Sequence, residues 1–232
     1  MSSIVVYHPV GLGDHLACSG IVRTYATTHD RVGVFCLEQN YPSVSALYRD
    51  LPNVTVLRVR SHRDIQRFRL RNAMHLTRNH YDRVLNVRVL DEESGIQYEK
   101  QLYRSANVPI ENLWDKFLLQ RDAAAERALM EKLHAPGAYQ FIHEDARFPL
   151  TPTKLSNLPA LRPDLALTKN IFDYCSVIEC AQEINVMDSS FMFLVDCLDY
   201  TAPNQKRFIH RYARPNMPWN LPLLRKQWTI LT

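Results

Sequence analysis

Apolar runs of two different periods alternate along the chain. Ile4–Tyr7 is a short β-branched run closed by His8-Pro9. Arg31–Leu37, Asn53–Val59 and Arg83–Val89 repeat that pattern, and each predicts a buried strand. Between them, apolar positions recur at helical spacing over His15–Thr28, Tyr41–Arg49, Arg63–Arg78 and Gly95–Asn107. Asp122–His134 is rich in Ala, Leu, Glu and Lys and predicts a strong helix, ended by Pro136-Gly137. A second series follows: strand Tyr139–His143, helix Asn170–Ala181, strand Glu183–Met187, helix Phe191–Tyr200 and a last strand Arg207–Tyr212. The Pro-rich stretch Thr151–Leu167 reads as loop with room for one short strand. The tail from Pro215 carries three prolines, Pro215, Pro218 and Pro222, and then Trp228 and Ile230 as apolar anchors.

Strands alternating with helices at this spacing predict parallel βαβ units with right-handed crossovers. The expected architecture is α/β, with two Rossmann-like halves whose parallel sheets face a cleft. The expected domains are residues 1–135 and 136–232, divided at Pro136-Gly137. In open parallel sheets, ligands bind outside the carboxyl ends of the strands, so the strand-end loops are where chemistry is sought.

Composition narrows the class. A chain of 232 residues fits one ordinary domain or two small ones. With 46% hydrophobic and 22% charged residues, a disordered tail, a collagen-like fibre and a disulfide-stapled miniprotein are excluded. The five cysteines (Cys18, Cys36, Cys175, Cys180 and Cys197) form no CxxC and mostly sit in apolar runs. They are expected to be buried free thiols in a reducing compartment, with no zinc site. No apolar run approaches the roughly 18 residues of a membrane span, and the start lacks a basic n-region. A cytoplasmic protein is expected.

Glycine is scarce, at six residues, so the pair Gly11 and Gly13 stands out. His8-Pro9-Val10-Gly11-Leu12-Gly13-Asp14-His15 lies between a predicted strand and a predicted helix. Glycines there permit tight turning and close approach of backbone to a ligand. It is not the dinucleotide fingerprint, because Leu16 stands where the third glycine would fall. Asp14 is open to two readings: the helix N-cap, or a base that takes a proton from an acceptor hydroxyl. His15 is a second candidate base, or a side chain packed on the sheet edge.

The second informative loop is Asp188-Ser189-Ser190-Phe191, again between strand and helix. It reads either as a capping motif or as a seat for a diphosphate at a helix N-terminus. Polar groups gather at neighbouring strand ends: His143, Glu144, Asp145 and Arg147 on one side, His210, Arg211, Tyr212 and Arg214 on the other. Arg147 or Arg214 suits bidentate phosphate pairing and Tyr212 base stacking, whereas Arg211 is expected to face solvent.

These two loops together resemble those of GT-B glycosyltransferases. GLGDHLACSGIVR is similar to the first loop of heptosyltransferases, in which the aspartate after the glycine is a base candidate; Asp14 matches it. Ser189, Ser190 and Phe191 match the Ser-Ser-Phe region of fucosyltransferase-like enzymes beside the donor phosphates. With EINVMDSSFMFLVD, the chain looks like a small glycosyltransferase-like family of large DNA viruses, phages and environmental bacteria. The fucosyltransferase His-x-Arg-Arg-Gly-Asp segment is absent; FIHEDARF stands at a comparable strand end, with His143 and Arg147 in plausible roles. The resemblance implies a nucleotide-sugar donor as substrate, a glycan or other hydroxyl acceptor, inversion, and no cofactor. No Asp-x-Asp motif occurs, so metal dependence is not expected. Arginines, helix dipoles and backbone amides would then neutralise the leaving diphosphate.

Charge adds one alternative. The net charge is +4, but residues 58–88 hold nine arginines (Arg58, Arg60, Arg63, Arg67, Arg69, Arg71, Arg78, Arg83 and Arg88) against Asp64 and Asp82. That stretch is +7 and the remainder −3. It is either a solvated, internally paired face or a patch for a polyanion such as DNA, a phosphorylated glycan or a lipid headgroup. The second function class is therefore a non-catalytic polyanion- or nucleic-acid-binding module.

Overall fold

The computed structural model describes residues 2–77, 80–91, 95–214 and 222–232. In chain order the elements are β1 (Ser3–Tyr7), α1 (Leu12–Ala17), α2 (Ser19–Ala26), β2 (Arg31–Leu37), α3 (Tyr41–Leu47), β3 (Val54–Val59), α4 (His62–Ala73) and β4 (Arg83–Asn86). Then come α5 (Tyr98–Ser105), α6 (Asn112–Asp115), α7 (Ala123–Lys132), β5 (Gln140–His143), β6 (Ala160–Leu161), α8 (Cys175–Cys180), β7 (Glu183–Val186), α9 (Ser190–Cys197), β8 (Lys206–His210) and β9 (Thr229–Leu231).

The fold is α/β with two parallel sheets, of order β3-β2-β1-β4 and β6-β5-β7-β8-β9. In the central strands β1 and β2 both faces are covered, and Ile4, Val5, Val6, Val32 and Val34 are all fully buried; the edge strands β3 and β4 are partly exposed. Gly33 leaves room on that sheet for Tyr81, since a Cβ there would lie 2.9 Å from the tyrosine ring. In each sheet the order of strands reverses once, between β1 and β4 and between β5 and β7. Ligands in such sheets bind outside the carboxyl ends at that reversal.

The chain divides into two compact units, the described residues of 2–120 with 222–223, and of 121–214 with 224–232. The division precedes α7, earlier than Pro136-Gly137, because α7 is tied to the second unit. Buried Glu126 accepts from Arg121 Nε at 2.8 Å and from Ser176 Oγ at 2.6 Å, and Arg121 Nη1 reaches Glu179 at 2.6 Å. Proline and glycine end the helix but do not decide which core it joins.

Two further differences from the sequence reading have local causes. The helix expected over His15–Thr28 breaks at Cys18. There α2 is drawn against α6 so closely that a Cβ on Gly20 would lie 2.0 Å from Asn112 O. The tail supplies β9, which pairs with β8. Its approach is fixed by buried Asp196, which accepts from Arg225 N at 2.8 Å, Lys226 N at 3.0 Å and Trp228 Nε1 at 3.0 Å.

Candidate functional site

Each unit presents one strand-end loop at its reversal point. In the first, β1 runs into His8–Gly11 and α1. Gly11 is extended, with φ −65° and ψ 152°, and a Cβ there would lie 2.6 Å from Asp14 Oδ2. The glycine therefore makes room for the aspartate side chain. Gly13 lies within α1. Asp14, half-buried in the first turn, accepts a 2.7 Å hydrogen bond from the hydroxyl of Tyr98, the first residue of α5. Tyr98 is thus on the other side of the β1/β4 reversal. Burial, and then the Asp14 charge, push its phenol well above the usual range, so it remains a donor. No motif pointed to Tyr98; it is found only once β4 is seen beside β1.

His15 is fully buried, and neither ring nitrogen has a hydrogen-bond partner. Its ring meets that of His8 edge-on, with centroids 4.6 Å apart. His8 Nδ1 donates to Pro9 O at 2.5 Å. Burial, and secondarily His8, hold His15 well below the ordinary histidine range, so it is neutral. Of the two base candidates, Asp14 is the one left within reach of solvent.

In the second unit the loops after β5, β7 and β8 meet. Asp188 is buried; its Oδ2 accepts from Arg211 Nη1, and its carbonyl accepts from Arg214 Nη1 at 2.8 Å. Burial raises the Asp188 carboxyl, while the Arg211 and then the Arg214 charges oppose the rise. Ser189 is the residue before α9, with extended φ −157° and ψ 175°, yet its hydroxyl makes no capping bond. Ser190 opens α9 and is half-buried. Three polar atoms here are buried without a partner: Asp188 Oδ1, Ser189 Oγ and His143 Nδ1. Burial lowers His143 to about 4, so its ring is neutral.

Other expected site residues take different places. Phe191 is buried against His143, Phe141 and Tyr174, with ring centroids 4.6, 5.3 and 5.7 Å away. It is a core wedge that carries the start of α9. Arg147 projects into solvent and pairs with Asp145 at 2.7 and 2.9 Å. Arg211, expected outside, is instead turned onto Asp188. Tyr212 has Lys154 Nζ 4.1 Å from its ring centre, so one face is already covered.

His210 is fully buried in a satisfied chain. Gln140 Nε2 donates to Ser156 O and Leu158 O, both at 2.8 Å. Asn185 Nδ2 donates to Gln140 Oε1 at 3.1 Å. Asn185 Oδ1 meets His210 Nε2, and His210 Nδ1 meets the Tyr212 hydroxyl, each at 2.9 Å. Tyr212 oxygen accepts from Thr151 N at 2.8 Å. Burial lowers His210 to about 4. This histidine braces β5, β7 and β8 beneath the loops.

Arg78 lies outside the described residues. Of the other eight arginines in the 58–88 stretch, Arg69 is half-buried and the rest are exposed. Among the described residues, no three His, Cys, Asp or Glu side chains gather to hold a metal ion. No helix among them is long and apolar enough to cross a membrane.

No known family's profile matches the sequence, and no curated protein matches it. Solved structures do. The chain is similar to E. coli ADP-heptose lps heptosyltransferase II, with 14% identity, TM-score 0.61, and coverage of 100% of this chain and 90% of that one. It is also similar to a glycosyl transferase family 9 structure from Veillonella parvula, with 10% identity, TM-score 0.49 and coverage of 89% and 78%. A third is E. coli heptosyltransferase WaaC with ADP, at 15% identity, TM-score 0.41 and coverage of 89% and 86%. The first likeness shows that the chain shares the α/β fold of GT-B-like heptosyltransferases.

Proposed function

We propose that this protein is a metal-independent, inverting glycosyltransferase that moves a sugar from a nucleotide-diphosphate donor to an acceptor hydroxyl. The observation that carries this reading is the group of unpartnered buried atoms at the β5/β7 reversal: Asp188 Oδ1, Ser189 Oγ and His143 Nδ1. Buried polar atoms are almost always hydrogen-bonded, so such a group at a strand-end loop suits a polar ligand. Ser189 Oγ and the first amides of α9 favour an anion, and Arg211 and Arg214 supply positive charge behind them. The shared fold with ADP-heptose lps heptosyltransferase II is consistent with a nucleotide sugar there.

In the proposed reaction, Asp14 takes the proton of the acceptor hydroxyl. That oxygen attacks the anomeric carbon and forms the new glycosidic bond. The bond from that carbon to the diphosphate breaks, and its electron pair leaves on the diphosphate. Ser189, Ser190, the α9 amides and Arg214 bind the leaving group. Tyr98 orients Asp14 through its 2.7 Å hydrogen bond.

A thermal-shift screen with UDP, GDP, ADP and CMP and their sugars tests the donor site. One nucleotide is expected to raise Tm, and Ser189→Ala and Arg214→Met to reduce that shift. If no nucleotide moves Tm, the donor reading is wrong. Chelation by EDTA is expected to leave turnover unchanged.

A further inference from the structure

The outer face of α4 combines positive charge with apolar side chains in an order that neither strand-end loop uses. At 100° per residue, Ile65 and Asn72 share one side of the helix and are buried. Arg63, Arg67, Leu70 and Met74 follow one another along the opposite ridge, all of them exposed. The end of the helix adds a third apolar group. His75 is left-handed, at φ 56°; its N–H bonds Asn72 O at 3.0 Å and the Leu76 N–H bonds Arg71 O at 2.7 Å. This paired closure fixes Leu76 to the last turn. Leu70, Met74 and Leu76 are 64%, 58% and 56% exposed, so the folded protein leaves three large apolar side chains in water within seven residues of chain. Beside them lies a groove of about 450 Å3 lined by Arg67, Arg71, Thr77, Phe68, Tyr81, Leu57 and Asp64.

We propose that this face docks the protein on an anionic lipid bilayer. The apolar tip formed by Leu70, Met74 and Leu76 enters the headgroup boundary, and Arg63, Arg67 and Arg71 lie against lipid phosphates. This is the division of labour of an interfacial basic helix, in which apolar insertion and charge attraction are both needed. Charge complementarity selects the partner. Arg63, Arg67 and Arg71 outnumber Asp64 here, so two copies of this face repel each other. A nucleic acid would use the arginines but not three exposed aliphatic side chains, and a single strand would also want aromatic faces to stack on. The rings that line the groove, Phe68 and Tyr81, are instead engaged with each other at 6.2 Å, and Phe68 with Phe35 at 5.1 Å. The proposal stands apart from the transferase reading.

Cosedimentation of the full chain with vesicles tests it, using phosphatidylcholine alone and phosphatidylcholine mixed with phosphatidylglycerol. Binding is expected only to the anionic vesicles and is weakened by salt. Replacing Arg63, Arg67 and Arg71 together by Gln is expected to weaken it about a hundredfold, at roughly 1 kcal/mol per basic residue near the surface. The triple change Leu70→Ser, Met74→Ser and Leu76→Ser is expected to weaken it tenfold or more, with Tm unchanged because none of the three is buried. Vesicle binding that survives the serine changes overturns the proposal. So does absence of vesicle binding, or binding of duplex DNA in its place.

Discussion

The two strand-end loops begin from the same device and finish with opposite electrostatics. Each follows a buried parallel strand at the reversal of its sheet, and each carries one aspartate ahead of or within the first turn of a helix. Asp14 has a phenol hydroxyl as its partner and stays half-buried near the surface of its loop. Asp188 is buried, receives Arg211 on its side chain and Arg214 on its carbonyl. The carboxylate facing a hydroxyl keeps part of its surface open, whereas the one held by guanidinium groups becomes a bracket that fixes cations in place. The same residue type after the same kind of strand thus takes a phenol partner in one unit and holds positive charge in the other.

The sharpest way to break this comparison is to remove each carboxylate in turn. Asp14→Asn is expected to lower kcat by a hundred- to ten-thousandfold, as loss of a general base does, with Tm little changed. Asp188→Asn is expected to cost far less turnover and to act through donor KM. Equal losses in kcat would dissolve the distinction. Next in size is Arg211→Met, which leaves the buried Asp188 carboxylate without its side-chain partner. It is expected to cost about 3 kcal/mol of stability by urea unfolding, recovered in part when Asp188→Asn is added.

The buried histidines sharpen the same contrast. His210→Leu orphans buried Asn185 Oδ1 and takes away the acceptor of the Tyr212 hydrogen, and is expected to cost about 2 kcal/mol. His15→Leu removes two nitrogens that bond nothing, so its effect on stability is expected to stay within about 1 kcal/mol of zero or to be favourable. Acidification probes the whole set without mutation. His143 and His210 are lowered from 6.5 to about 4, so the unfolded chain binds more protons between those values. The stability from these neutral rings is complete above pH 6.5 and is lost as pH falls toward 4. Urea midpoints measured at pH 7 and pH 4.5 should differ in that direction, and His210→Leu should reduce the difference.

The central strands were legible because β-branched runs buried on both faces have few other readings. Arg31–Leu37 is a strand over the whole expected span. The glycine and serine loops were legible because punctuation after a strand is local. What the sequence hid was long-range. Thr229–Leu231 is too short to show a period and becomes a strand only beside β8. Pro136-Gly137 marked a helix end, while the allegiance of α7 rests on Glu126 meeting Ser176, fifty residues away. Arg147 and Arg211 are chemically equivalent in sequence; only packing shows that one pairs locally in solvent and the other turns inward. Tyr98 is distant from Asp14 in the chain and adjacent only through the sheet.

The chain from Gln140 to Tyr212 has a direction. Ser156 O and Leu158 O can only accept, which fixes the Gln140 amide; that fixes Asn185, and Asn185 Oδ1 then compels His210 Nε2 to carry the proton. His210 Nδ1 is left as an acceptor, so the Tyr212 hydrogen must point inward and its lone pairs outward to Thr151 N. The relay therefore behaves as a fuse with a defined weak end. A proton added to His210 can enter only at Nδ1, where it confronts the Tyr212 hydrogen, so the link between His210 and Tyr212 is disturbed first and the anchors at Ser156 and Leu158 outlast it.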